Sequence, residues 1–412
     1  MLRNPLNFVW HSKTKRGEME LGIGVIRNNM KEIMANRWLE IEQFGQSLWY
    51  DNMSRSYVSS GALKKMIGEL GLKGITSNPS IFEKSISKGK DYDADIQHFI
   101  KEGLSTEEIY ERLTTDDIRA AADVLREVYD RTEGIDGFVS IEVDPRLAND
   151  TRGSIEAARR IWATISRPNI MIKIPGTPAG LPVIEQLLTE GINVNITLLF
   201  GLGSYTTVAN AYLNAVRTRI SNGSEVSRLA SVASFFLSRV DTNVDKLITA
   251  KLSLATSEDE RAELKSLLGT AANANAKLAY ERFNELFHGH EFVDLHAAGA
   301  RVQRCLWASV STKNPAYSDV LYIEPLIGPE TVTTVPDDTI AAFADHGKVA
   351  NTLAQGLEDA HWAIDTLKNH GIDTEIVADE LQVDGVQKFI DAFQTLAANL
   401  EKKRTALSIT VA

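Results

Sequence analysis

The sequence predicts an α/β fold, a single (β/α)8 TIM barrel with helical insertions and a C-terminal helical extension. Three observations predict it. Short β-type runs alternate with segments of helical spacing, which argues for a parallel sheet covered by helices. The runs number eight, and no strong linker separates them, which favours a closed barrel over an open sheet.

The strands are expected at Gln46–Asp51, Gly74–Asn78, Phe138–Val143, Ile170–Pro175, Asn193–Phe200, Ser231–Val240, Arg304–Val310 and Val320–Ile327. Between them, good helix formers at helical spacing mark Gly61–Leu70, Thr106–Tyr129, Ser154–Ile165, Gly180–Glu190, Tyr205–Ile220, Glu258–Leu286 and Pro336–Ala344. The long gaps between the second and third runs and between the sixth and seventh are also helical in pattern. They read as insertions on one domain. Polar helices follow at Val349–Asn369 and Asp384–Lys403. The expected organisation is an N-terminal extension at 1–36, a barrel at 37–346 and C-terminal helices packed on it at 347–412. The extension is either a tail or the product of a start placed too early, since Met19, Met30 and Met34 lie downstream.

Composition narrows the functional classes. The chain has 412 residues with 43% hydrophobic and 24% charged, the balance of a soluble globular protein. A net charge of -11 argues against a nucleic-acid binder, which needs a basic face. An anionic substrate would need local cations to overcome that field. The single cysteine, Cys305, excludes an internal disulfide and a cysteine zinc cluster, and in an apolar strand reads as a buried small residue. No apolar run reaches membrane-helix length, and the basic N-terminus (Lys13, Lys15, Arg16) lacks a following signal-length apolar stretch. A cytoplasmic location is expected.

The segment Asn169-Ile-Met-Ile-Lys-Ile-Pro-Gly-Thr-Pro-Ala-Gly180 carries most of the chemistry. Side chains alternate along a strand, so Ile170, Ile172 and Ile174 share one face and Met171 and Lys173 the other. In a barrel the isoleucines pack under the helices and Lys173 points inward near the strand's C-terminal end, where barrel enzymes place their chemistry. Burial disfavours the ammonium form and yields the free amine that attacks a ketone. A lysine that snorkels to the rim or pairs with a carboxylate satisfies the same pattern. Asp51, Asn78, Glu142, Asn195, Thr197, Ser234 and Arg239 sit within or at the ends of neighbouring runs. Polar groups in apolar strands are costly unless paired, so they form either a shared site around Lys173 or a buried network that shapes the core.

Seven ordered blocks then resemble one family. Gly45-Gln-Ser-Leu-Trp-Tyr-Asp-Asn52, Gly74-Ile-Thr-Ser-Asn-Pro-Ser80, Ser140-Ile-Glu-Val-Asp144, Met171-Ile-Lys-Ile-Pro-Gly-Thr177, Gly191-Ile-Asn-Val-Asn-Ile-Thr-Leu-Leu-Phe200 and Ala233-Ser-Phe-Phe-Leu-Ser-Arg239 are similar to transaldolase signatures. Trp307-Ala-Ser-Val-Ser-Thr-Lys-Asn-Pro-Ala-Tyr-Ser-Asp319 resembles the seventh-strand region of the long-chain bacterial subfamily. The resemblance runs from about Asn36 to about His346, and more weakly to the end.

The resemblance implies a dihydroxyacetone transfer between sugar phosphates, without metal or organic cofactor. Sedoheptulose 7-phosphate and glyceraldehyde 3-phosphate would interconvert with erythrose 4-phosphate and fructose 6-phosphate in the pentose phosphate pathway. Lys173 resembles the Schiff-base lysine, and Asp51 the acid/base that takes the donor's C4 hydroxyl proton. Glu142 resembles the carboxylate that works through a water held by Thr197. Asn78, Asn195 and Ser234 resemble ligands of the dihydroxyacetone hydroxyls, and Arg239 a phosphate anchor. Related chains carry an arginine after the seventh strand, where this one has Val310-Ser-Thr-Lys313, so Ser309 and Lys313 are the candidates there. The implied partners are small sugar phosphates, with neither nucleic acid nor membrane, in a monomer or small homo-oligomer. An aldolase releasing dihydroxyacetone and a non-catalytic sugar-phosphate sensor are the alternatives.

Other features read as bland. Gly201-Leu-Gly203 begins like a dinucleotide fingerprint but lacks the third glycine. His288-Gly-His290 has the wrong spacing for two ligands on one helix face and reads as a loop pair. Trp38, Trp49, Trp162, Trp307 and Trp362 are scattered, which suits packing rather than stacking on a ligand.

Overall fold

The structure is a computed structural model and describes residues 36–409, so the expected N-terminal extension lies, but for Asn36, outside the described residues. Eight parallel strands close into a barrel in sequence order. They are β1 (Gln46–Tyr50), β2 (Gly74–Ile75), β3 (Phe138–Glu142), β4 (Ile170–Pro175), β5 (Val194–Leu199), β6 (Ser231–Phe236), β7 (Arg304–Ala308) and β8 (Thr331–Val335). Closure runs through β1 and β8, which pair from Gln46↔Thr331 to Tyr50↔Val335.

Register decides which side chains share the interior. Glu142 pairs with Lys173 and Lys173 with Asn195, so the three stand side by side on one face. The alternate residues Ile170, Ile172 and Ile174 are fully buried on the other face, under the helices. At mid-barrel Trp49 is fully buried and its ring lies over Gly74, where an added Cβ would come within 2.5 Å of ring atoms. Only glycine therefore fits at that point of β2. The N-terminal end of the barrel is tied by a buried ion pair, Arg304–Asp136 at 2.8 Å. Arg304 also donates to Ser47 Oγ at 3.0 Å, and Ser47 and Trp49 donate to Asp136.

Two expected strands are corrected. The eighth is not Val320–Ile327 but Thr331–Val335, five β-branched residues with the propensity for a pleated strand. Val320–Ile327 is a set of turns ending in a 3-10 helix at Glu324–Leu326. Its apolar residues are buried in the shell outside β7, where the Leu326 carbonyl accepts from Trp307 Nε1 and Gln46 Nε2. Pro325, which cannot donate to a ladder, opposes a central strand there. The sixth strand stops at Phe236 rather than Val240. Leu237 turns to helical geometry, and Ser238–Leu252 is a helix that buries Val240, Val244 and Ile248 at i, i+4 and i+8. Arg239 thus stands in the first turn of a helix and not on a strand.

The insertions are helical, as Pro79–Lys88, Asp93–Lys101 and Thr106–Arg131 after β2, and Glu258–Ser266 and Ala271–Phe287 after β6. The Glu258–Leu286 segment is therefore two helices, parted near Gly269, whose φ is +71°. The C-terminal region holds helices Leu357–Asn369 and Thr374–Ile409. The second packs on Pro79–Lys88 and also reaches β5 at the barrel mouth. Among the described residues, no helix is long and apolar enough to cross a membrane.

Candidate functional site

The C-terminal mouth encloses a cavity of about 440 Å³ lined by Asp51, Asn78, Lys173, Ser234, Arg239, Ser309 and Lys313, among others. Seven of the ten expected site residues thus share one space. Among its lining residues, and leaving Lys173 aside, the basic side chains Lys84, Arg239 and Lys313 outnumber the acidic Asp51 and Asp338. The acidic chain is therefore locally cationic where an anion would enter.

Lys173 is 5% exposed, and its Nζ donates to the Ser77 carbonyl at 3.2 Å. Asp51 follows β1 directly and is held by Thr76, whose hydroxyl donates at 3.0 Å. Burial raises the Asp51 carboxyl above its usual value, while Lys173, the Thr76 bond, Arg239 and Lys313 pull it down. Asn78 is not on a strand. It caps the helix Pro79–Lys88 by accepting from Ile81 N at 3.1 Å, a role that its sequence neighbour Pro79 at the first helical position supports. Ser234 donates to Asn195 Oδ1 at 2.7 Å, and Asn195 donates to Ser140 Oγ at 3.0 Å. That chain fixes the amide of Asn195 beside Lys173.

Glu142, Thr197 and Asn195 do not line the cavity and stand behind it. Burial pushes the Glu142 carboxyl up to about 7, with Lys173 opposing. Glu142 Oε2 and Thr197 Oγ1 are buried and have no protein partner. Unsatisfied buried oxygens are costly, so each is suited to bind a water. Glu142 lines instead two smaller spaces, one beside Phe389, Pro175 and Leu198, and the other a cavity of about 270 Å³ with Tyr110, Asp144, Arg146 and Phe393.

Arg239 reaches the cavity from its helix, with its guanidinium carbon 5.2 Å from the Phe236 ring centroid. Its Nη1 is buried without a partner, and burial works against its charge while Asp384 and Asp51 favour it. A desolvated fork with an unused donor is what a phosphate would satisfy. Ser309 has a left-handed φ of 55° and exchanges a hydroxyl bond with Ser238 at 2.9 Å. Lys313 is exposed and also lines the neighbouring cavity with Asp241 and Asp245.

Sequence reasoning missed Phe389, Lys84, Thr76 and Thr334 as site residues, although all four line the cavity. Thr76 lies in the segment 74–80, two residues before Asn78, and its hydroxyl also meets Thr334 at 2.6 Å. Lys84 lies on the helix Pro79–Lys88 that Asn78 caps, six residues further on. Phe389 carries no local signal, because only the course of the last helix brings it over the mouth.

A closed barrel with a buried lysine among carboxylates at its C-terminal mouth defines the class of lysine-centred barrel enzymes. The family described as Transaldolase/Fructose-6-phosphate aldolase matches residues 48–400. The chain is 49% identical over 376 residues to Transaldolase 2 of a Nostoc species, covering 90% of this chain and 99% of that one. It is 50% identical over 377 residues to Transaldolase 2 of Nostoc punctiforme, covering 91% and 99%. Against the transaldolase of Thiobacillus denitrificans it is 44% identical over 361 residues, covering 88% and 98%. The chain belongs to the transaldolase/fructose-6-phosphate aldolase family.

Proposed function

We propose that this protein is a transaldolase that moves a dihydroxyacetone unit from a ketose phosphate to an aldose phosphate through a Schiff base on Lys173. The observation that carries the reading is the buried Lys173 amine, set between two carboxylates in different surroundings. The amine adds to the donor's ketone carbon and water leaves, giving an iminium. Glu142, with a pKa near neutrality, is suited to move protons in that addition and dehydration through a water shared with Thr197. Asp51 takes the C4 hydroxyl proton, the C3–C4 bond breaks, and the electron pair is stored as an enamine. The iminium is the electron sink, so the cleavage requires neither metal nor organic cofactor. The acceptor aldehyde then forms the new C–C bond and hydrolysis frees Lys173.

On this reading Asn78 and Ser234, with Asn195 behind them, bind the dihydroxyacetone hydroxyls, and Arg239 with Ser309 and Lys313 binds the phosphate. Sugar phosphates as substrates and a cytoplasmic location follow from this reading. The test is acceptor dependence. With fructose 6-phosphate and erythrose 4-phosphate the protein is expected to form sedoheptulose 7-phosphate and glyceraldehyde 3-phosphate. Rapid release of free dihydroxyacetone without acceptor would instead make it an aldolase.

A further inference from the structure

The last helix places one apolar ring where the reaction is most exposed to water. Thr374–Ile409 is pinned along its length. Glu375 accepts from Leu202 N and Gly203 N at 2.8 and 3.1 Å. Gln382 Nε2 donates to the Gly176 and Leu198 carbonyls at 3.0 and 3.2 Å. Lys403 donates to the carbonyls of Ile86 and Gly89 and pairs with Asp93. Leu198 itself has a φ of 60° at the register shift that ends β5, and Gly385 passes so close that a Cβ there would meet it at 2.9 Å. The course of the helix over the mouth is therefore fixed by bonds to the barrel and not by surface packing alone.

These anchors hold Phe389, which is 6% exposed, with its ring centroid 5.8 Å from Lys173 Nζ. The ring is a wall of the 440 Å³ cavity that holds Asp51 and Arg239. It also lines the small space beside Glu142, Pro175 and Leu198. One side chain thus stands between the compartment suited to the sugar and the compartment of the water-handling carboxylate.

We propose that Phe389 is a specificity-determining residue that shields the enamine from water and so favours transfer over hydrolysis. The inference rests on the Schiff-base reading above. After C3–C4 cleavage the enamine has two fates. Its C3 carbon can attack the acceptor aldehyde, or C3 can take a proton from water. In the second case hydroxide adds to C2, the C2–nitrogen bond breaks, and dihydroxyacetone leaves with the lysine amine regenerated. The net co-reactant is one water. An apolar ring supplies neither a proton nor a hydrogen bond to hold that water. Glu142 keeps its own solvent side, so imine formation and final hydrolysis proceed without opening the enamine's face.

The experiment compares the wild type with Phe389→Leu and Phe389→Ala. Free dihydroxyacetone and sedoheptulose 7-phosphate are measured from fructose 6-phosphate with and without erythrose 4-phosphate. The ratio of released to transferred dihydroxyacetone is expected to rise about tenfold, which corresponds to about 1.4 kcal/mol between the two barriers. Borohydride trapping of the donor is expected to persist in both variants, so the change is in partition and not in adduct formation. Phe389 is buried, so if Phe389→Ala does not fold, Phe389→Leu decides. An unchanged ratio in a folded, trappable variant overturns the inference alone. Absence of trapping in the wild type overturns the Schiff-base reading itself, and the two failures are distinct.

Discussion

Replacing Glu142 by glutamine is expected to stabilise the protein at alkaline pH while it slows adduct formation. Burial raises this carboxyl from 4.5 to about 7, a displacement of about 2.5 pH units. At about 1.36 kcal/mol per unit, the folded protein resists ionisation of this group by about 3 kcal/mol at most. The sign follows from proton counting. Between about 4.5 and 7 the folded state binds more protons than the unfolded one, so stability falls as pH rises through that window. Below it the penalty vanishes, and above it the penalty is constant. Glutamine keeps the shape without the charge, so its advantage over wild type is expected to grow from pH 4 to pH 8. Glu142 is partly open to solvent, which makes about 3 kcal/mol an upper bound. Urea denaturation of both proteins at several pH values measures it. The same substitution is expected to slow donor trapping in rapid quench by about 10²–10⁴-fold. A stability difference independent of pH would refute the assignment of a raised carboxyl, whatever the kinetics show.

Asp51→Asn is expected to leave donor trapping intact and to slow C–C cleavage by about 10²–10⁴-fold, as single-turnover product analysis would show. Loss of trapping together with cleavage would remove the division of labour between the carboxylates. Arg239→Ala is expected to raise KM for phosphorylated donors, with a loss of roughly 1.5–3 kcal/mol in kcat/KM and much less for unphosphorylated fructose. Equal losses on both donors would make Arg239 structural. Arg304→Met strands Asp136 in the interior and is expected to cost about 3–5 kcal/mol in denaturant unfolding. A neutral result would mean that water in the cavity of about 420 Å³ at the barrel's N-terminal end solvates Asp136.

The barrel was legible where alternation was clean. In β4 three isoleucines under the helices leave Lys173 facing inward, and the register with Glu142 and Asn195 follows from that phase. It was misread where burial and strand character part company. Val320–Ile327 is apolar because it fills the helical shell, whereas the threonine-rich β8 has little hydrophobic signal. The site residues were found by type more surely than by element. Asn78 and Arg239 occupy the cavity from a helix cap and a first helical turn, because a run of mixed residues does not show where a strand stops. Phe389 could not be read at all, since its position depends on the anchors of Gln382 and Glu375 to distant loops.

The central claim is that Lys173 is the nucleophile. Incubation with fructose 6-phosphate, reduction with borohydride and peptide mass mapping test it directly. The reduced three-carbon or six-carbon adduct is expected on Lys173 alone, and Lys173→Arg is expected to abolish both adduct and turnover. An adduct mapped to Lys84 or Lys313, the other lysines of the cavity, would contradict the account.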